Sequence, residues 1–96
     1  VPVKLAFYLL SINNMNINLF YTYNIQQRMD VLNRRGEFIM RIEQYKFYVS
    51  LYILDEQFIE VFFSKDENKI VEVEILEPNN ERFELYATFI NLADLF

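Results

Sequence analysis

Residues 47–63 read FYVSLYILDEQFIEVFF, and twelve of these seventeen residues are Phe, Tyr, Val, Leu or Ile. A membrane helix needs about 20 uninterrupted apolar residues. Asp55, Glu56 and Gln57 break this run, so it reads as two strands, Lys46–Leu54 and Phe58–Phe63. Val49, Leu51 and Ile53 alternate with Tyr48, Ser50 and Tyr52, and Ile59, Val61 and Phe63 alternate with Phe58, Glu60 and Phe62. If one face of the sheet is buried, a one-residue slip would turn a strand's apolar set outward. That favours a three-residue loop at 55–57, or a longer odd one, pairing Leu54 with Phe58, Ile53 with Ile59, Leu51 with Val61 and Val49 with Phe63.

Upstream, Ile17, Tyr21, Ile25, Met29 and Leu32 recur at spacings of four and three, which predicts one helix over 17–35. Arg34 and Arg35 fall in its last turn, where cations suit the negative end of the helix dipole. Gly36, the only glycine, is then expected to close the helix in the left-handed conformation. Glu37–Glu43 alternates as a strand, with a continued helix as the alternative.

Downstream, Ser64–Lys69 is a polar turn. Ile70–Leu76 alternates Val71, Val73 and Ile75 with Glu72 and Glu74. Pro78 ends that strand, and an asparagine of the Asn79-Asn80 pair is placed to cap a helix over 81–90, with Phe83, Tyr86 and Ile90 on its inner face and Leu85 and Phe89 widening the stripe.

The expected fold is α+β: an N-terminal helix, a three- to four-stranded antiparallel β-meander and a C-terminal helix, in two layers. One domain spans 1–96, with residues 1–16 either part of it or an appended segment. Both helices are expected on the face formed by Phe38, Met40, Ile42, Val49, Leu51, Ile53, Ile59, Val61, Val71, Val73 and Ile75. Val3–Leu10 has the hydropathy of a short signal-peptide core, but only Lys4 is basic and no small-x-small site follows. Met15 and Met29 are alternative starts.

The chain has no cysteine and no histidine, so disulfides, thiolate catalysis and Cys/His metal sites are excluded. A net charge of −5 opposes nonspecific binding to nucleic acid and to anionic membranes. No glycine-rich phosphate loop, G-x-S-x-G elbow or metal-ligand spacing occurs. No cofactor is expected.

The second face of the expected sheet carries Tyr48, Ser50, Tyr52, Phe58, Glu60, Phe62, Glu72 and Glu74, which is apolar for a solvent-facing sheet. Three explanations compete: aromatics packing on cross-strand neighbours, coverage by residues 1–16, or a protein-binding surface. Edge-strand pairing in a homodimer is a variant of the last. Glu60, Glu72 and Glu74 could gather for acid/base chemistry or for a hard cation, but a solvated acidic face accounts for them more simply.

Arg35-Gly36-Glu37-Phe38, Leu51-Tyr52-x-Leu54-Asp55, Phe58-Ile59-Glu60-Val61 and the closing Ile90-Asn91-Leu92-Ala93-Asp94-Leu95 resemble small uncharacterised bacterial α+β proteins. The resemblance implies no activity. The expected function is that of a noncatalytic protein–protein interaction or accessory domain in the cytoplasm, with an unknown protein partner or a second copy. A small apolar-ligand binder is the alternative, and a carboxylate-dependent enzyme stands behind it.

Overall fold

The computed structural model describes residues 17–89. The signal-like segment and the closing residues 90–96 lie outside the described residues. Two short helices, α1 (Ile17–Thr22) and α2 (Ile25–Arg35), lead into four strands: β1 (Glu37–Gln44), β2 (Phe47–Leu54), β3 (Gln57–Ser64) and β4 (Lys69–Ile75). Helix α3 (Glu81–Phe89) follows. The strands form one antiparallel sheet in the order β1-β2-β3-β4, the expected meander.

The β2–β3 register differs from the expected one. Leu54 opposes Gln57, Ile53 opposes Phe58 and Leu51 opposes Glu60, so the loop is the two-residue Asp55–Glu56. Both residues have positive φ, 48° and 61°, the backbone of a type I′ turn. An odd-length loop is favoured only where a single face of the sheet is buried. Both faces are buried: Val49 and Leu51 point to one, Leu54 to the other, and all three are at most 1% exposed. With apolar residues on both sides, a one-residue shift exposes nothing, and the twist-matched tight turn prevails.

The helices therefore cover opposite faces, making three layers rather than two. Phe20 of α1 and Leu32 of α2 pack with Leu54, Ile59, Val61, Val73 and Ile75. Tyr86 of α3 packs with Val49, Leu51 and Leu76, with Met40, Ile42, Phe58, Phe62 and Phe83 alongside. Fully burying each such aliphatic side chain is worth roughly 1.5–3 kcal/mol. β4 slips once against β3: Phe62 opposes Glu72 while Phe63 opposes Ile70. Ile70 thereby joins the α2 side in place of the expected Val71.

The single helix expected over 17–35 is broken at Tyr23–Asn24. Asn24 accepts a hydrogen bond from the Gln27 backbone N–H at 2.8 Å, and the Gln27 side chain accepts one from the Asn24 N–H at 2.9 Å. This capping box satisfies two otherwise orphaned donors and restarts the helix at Ile25. The Arg28 guanidinium joins the break to the sheet edge, donating to the carbonyls of Phe20, Tyr21 and Val73. At the other helix, an asparagine caps as expected, and it is Asn80, its Oδ1 accepting from the Arg82 N–H at 2.9 Å. Leu85 and Phe89, expected on the packed stripe, are instead 37% and 65% exposed.

Gly36 ends α2, but with φ −78° and ψ 157° it is extended, not left-handed. Its N–H donates to the Leu32 carbonyl at 2.8 Å. A Cβ there would meet that same oxygen at 2.8 Å, so glycine is required for close approach. Gly36→Ala should destabilise the fold by roughly 1–3 kcal/mol. Conversely, Glu56→Gly should stabilise it by about 1 kcal/mol, because glycine adopts positive φ without the Cβ clash. Urea melts of the two variants should move in opposite directions.

Candidate functional site

The eight candidate residues do not share a face. The register places Tyr48, Ser50 and Tyr52 on the α2 side, and Phe58, Glu60 and Phe62 on the α3 side. Glu72 and Glu74 oppose Phe62 and Glu60 on β4. The single aromatic and acidic surface expected from the sequence is thus divided into two environments by the two-residue turn.

On the α3 side, Glu60 is the only charged residue among the apolar run Phe58–Phe63, and it is 1% exposed rather than solvated. An isolated buried carboxylate would be costly. Here three donors meet it. Arg82 Nε donates to Oε2 at 2.8 Å and Arg82 Nη2 to Oε1 at 3.0 Å, a bidentate pair. The Tyr86 hydroxyl donates to Oε2 at 2.8 Å. Arg82 and Tyr86 stand one turn apart on α3, so a single helix face delivers both to one carboxylate. The Arg82 guanidinium also lies over the Phe62 ring, 5.3 Å from its centroid, and Phe83 meets Phe58 edge-on at 5.7 Å.

The electrostatics follow from burial. Desolvation, and then the negative charge and hydrogen bond of Glu60, hold the Tyr86 phenol well above its ordinary value of 10.0. The hydrogen bond to Glu60 raises Arg82 as well, against the opposing effect of burial. Near neutral pH, Tyr86 is a fixed hydrogen-bond donor and Arg82 a fixed cation. A phenol held protonated is neither nucleophile nor base, and both oxygens of the Glu60 carboxylate are engaged by donors. The trio is a clamp between α3 and the sheet.

Of the other carboxylates, Glu72 lies 3.7 Å from Arg28 at the sheet edge, and Glu74 is exposed opposite Glu60. Among the described residues no group of three or more carboxylates is positioned to hold a metal ion. Arg82 is not singled out by the sequence, and Tyr86 is expected there only as an inner-face residue of the last helix, not as a partner of Glu60. The available signal was a lone glutamate inside an apolar strand, together with an arginine and a tyrosine four apart on the following helix.

The α2 side differs in character. Arg41 lies over the Tyr48 ring at 3.8 Å, with Lys65 4.6 Å from the same centroid. Lys65 bridges to Glu43 at 2.7 Å and to the Tyr45 carbonyl at 3.2 Å. Phe38 meets Tyr52 edge-on at 5.6 Å and remains 55% exposed. A depression of about 270 Å³ elsewhere is lined by the polar side chains of Asp30, Asn33 and Arg34, unlike the apolar wall expected for a ligand site. Among the described residues no helix is long and apolar enough to cross a membrane. No family model, curated protein or solved structure matches the chain.

Removing one member of the clamp should cost more than removing its charges together. Arg82→Met should destabilise by about 3 kcal/mol, because Glu60 is left buried and unpaired, whereas Glu60→Leu with Arg82→Met should recover much of that loss. Equilibrium denaturation of both variants checks this. The raised Tyr86 phenol adds a pH signature. The folded state keeps this proton above pH 10 while the unfolded chain releases it, so the contribution is intact below the ordinary value and is lost as pH climbs above it. Tyr86→Phe should therefore flatten the fall in stability between about pH 9 and pH 11; equal slopes in both proteins would refute the assignment.

Proposed function

We propose that this chain is a noncatalytic interaction or accessory domain whose contact surface is the β1–β2 half of the α2-side face. The carrying observation is Phe38, more than half exposed and packed edge-on against Tyr52. Beside this pair lies the Arg41–Tyr48–Lys65 stack. Exposed aromatics beside immobilised cations suit a protein partner: the rings provide apolar area at low entropy cost, and the charges provide selectivity. Of the original candidates, Tyr48, Ser50 and Tyr52 belong to this surface. Phe58, Glu60 and Phe62 are engaged beneath α3, and the engagement of Glu60 by three donors supports a noncatalytic reading. A cytoplasmic location is part of the same proposal.

The test is affinity purification of the tagged protein with Phe38→Ser and Tyr52→Ser combined. Loss of a specific partner, with the circular dichroism spectrum and sheet content unchanged, is the expected result. Phe62→Ser serves as the contrasting variant, since it should lower stability through α3 without touching this surface. Retention of the partner by the double variant would refute the assignment.

A further inference from the structure

The two edges of the sheet are unlike. Along β4, the outward Val73 carbonyl accepts a hydrogen bond from Arg28 at 2.7 Å. Along β1, no strand among the described residues pairs with the outer edge. Its irregularity falls between Phe38 and Met40, which leaves Met40–Gln44 in unbroken register with β2. An open, regular edge is a template for another strand.

The direction of its free groups follows from the hairpin. Gln44 opposes Phe47 across the two-residue turn Tyr45–Lys46, and the pair closing such a turn is a hydrogen-bonded one. Opposed pairs alternate, so Ile42 bonds inward to Val49, while Arg41 and Glu43 direct their N–H and C=O groups outward. An incoming antiparallel strand must therefore bond to Arg41 and Glu43.

We infer that β1 pairs with β1 of a second copy about a two-fold axis at Ile42, setting Arg41 of each chain opposite Glu43 of the other. The neighbouring registers that preserve the hydrogen-bonding alternation would set Arg41 against Arg41 or Glu43 against Glu43, and like charges directly opposed are unfavourable. The inferred register gives two complementary charge pairs, meets the outward N–H and C=O groups of Arg41 and Glu43, and places Ile42 against Ile42 on the α3 side. Arg41 and Glu43 are both exposed, and the Glu43 side chain keeps 63% of its surface while bound to Lys65, leaving room for a second cation. The contact is isologous, as a two-fold axis requires. One strand pair is a small interface, so the dimer forms reversibly. This inference rests on edge geometry and shares Arg41 with the surface described above, but it does not require the exposed Phe38–Tyr52 pair to bind a partner.

Sedimentation equilibrium of the full chain, from about 10 μM to about 1 mM, should show a monomer–dimer equilibrium. Arg41→Glu and Glu43→Arg should each weaken self-association about tenfold or more, since each sets like charges opposed twice. Mixing these two single variants should restore a dimer, because every opposed pair is then complementary. Circular dichroism confirms that each variant remains folded. A second readout uses the absence of cysteine. Ile42→Cys should cross-link to a disulfide dimer under mild oxidation, and Gln44→Cys, which opposes Met40 rather than itself, should not. A monomer throughout the range, a dimer indifferent to both reversals, or no recovery on mixing would overturn the inference. So would cross-linking through Gln44→Cys in preference to Ile42→Cys.

Discussion

The two-residue turn at Asp55–Glu56 determines which side chains share a side of the sheet, and most other features follow from it. It puts Glu60 opposite Leu51 and hence on the side of Val49, Phe58 and Phe62, where α3 packs. A loop one residue longer would have moved Glu60 to the side of Leu54 and Val73. The turn has a local cost, since neither residue is glycine and both have positive φ. Its geometry is supported from outside: Arg35, in the last turn of α2, donates to Asp55 at 2.6 Å. The end of one helix thus braces the turn that sets the register for the opposite face.

Once Glu60 faces α3, the helix must answer a buried charge. The apolar contacts of α3 are made by only a few residues, with Leu85 and Phe89 turned outward. Apolar packing alone would tolerate several rotations of so short a helix. The carboxylate tolerates far fewer, because Arg82 and Tyr86 must both reach it. A buried ion pair is weak evidence for net stability, since desolvation offsets much of the attraction. Its effect here is positional: it selects one rotation of α3 and penalises every arrangement that leaves Glu60 without donors.

Much of this architecture was readable from residue order. The four strands, the helix after Pro78 and its asparagine cap rest on alternation, a chain breaker and a capping side chain, which act within a few residues. The failures came where a local pattern fitted two global arrangements. Tyr52, Leu54, Val49 and Leu51 make β2 apolar on both faces, so periodicity could not set the loop length. Asn24 and Gln27 carried a legible capping box, but the apolar spacing of Ile17, Tyr21 and Ile25 ran across it and suggested a continuous helix. The conformation of Gly36 depends on the approach of the Leu32 carbonyl, a contact no residue type announces. The partners of Glu60 come from more than twenty residues away and required the register first.

With its central strands covered from both sides, the sheet offers contact mainly at its margins. On the α2 side, the apolar contacts of α1 and α2 gather over Ile59, Val61, Val73 and Ile75, leaving Phe38 exposed beside Tyr52. Arg28 engages β4 by its backbone and by Glu72. Among the described residues β1 has no such attachment, and its outward-bonding residues carry opposite charges two positions apart. Charges on an edge commonly discourage pairing. That protection works when the charges are alike, because every approaching register then meets repulsion. Arg41 followed by Glu43 repels at two registers and attracts at the one between them, so the same residues that block indiscriminate pairing leave a single alignment permitted.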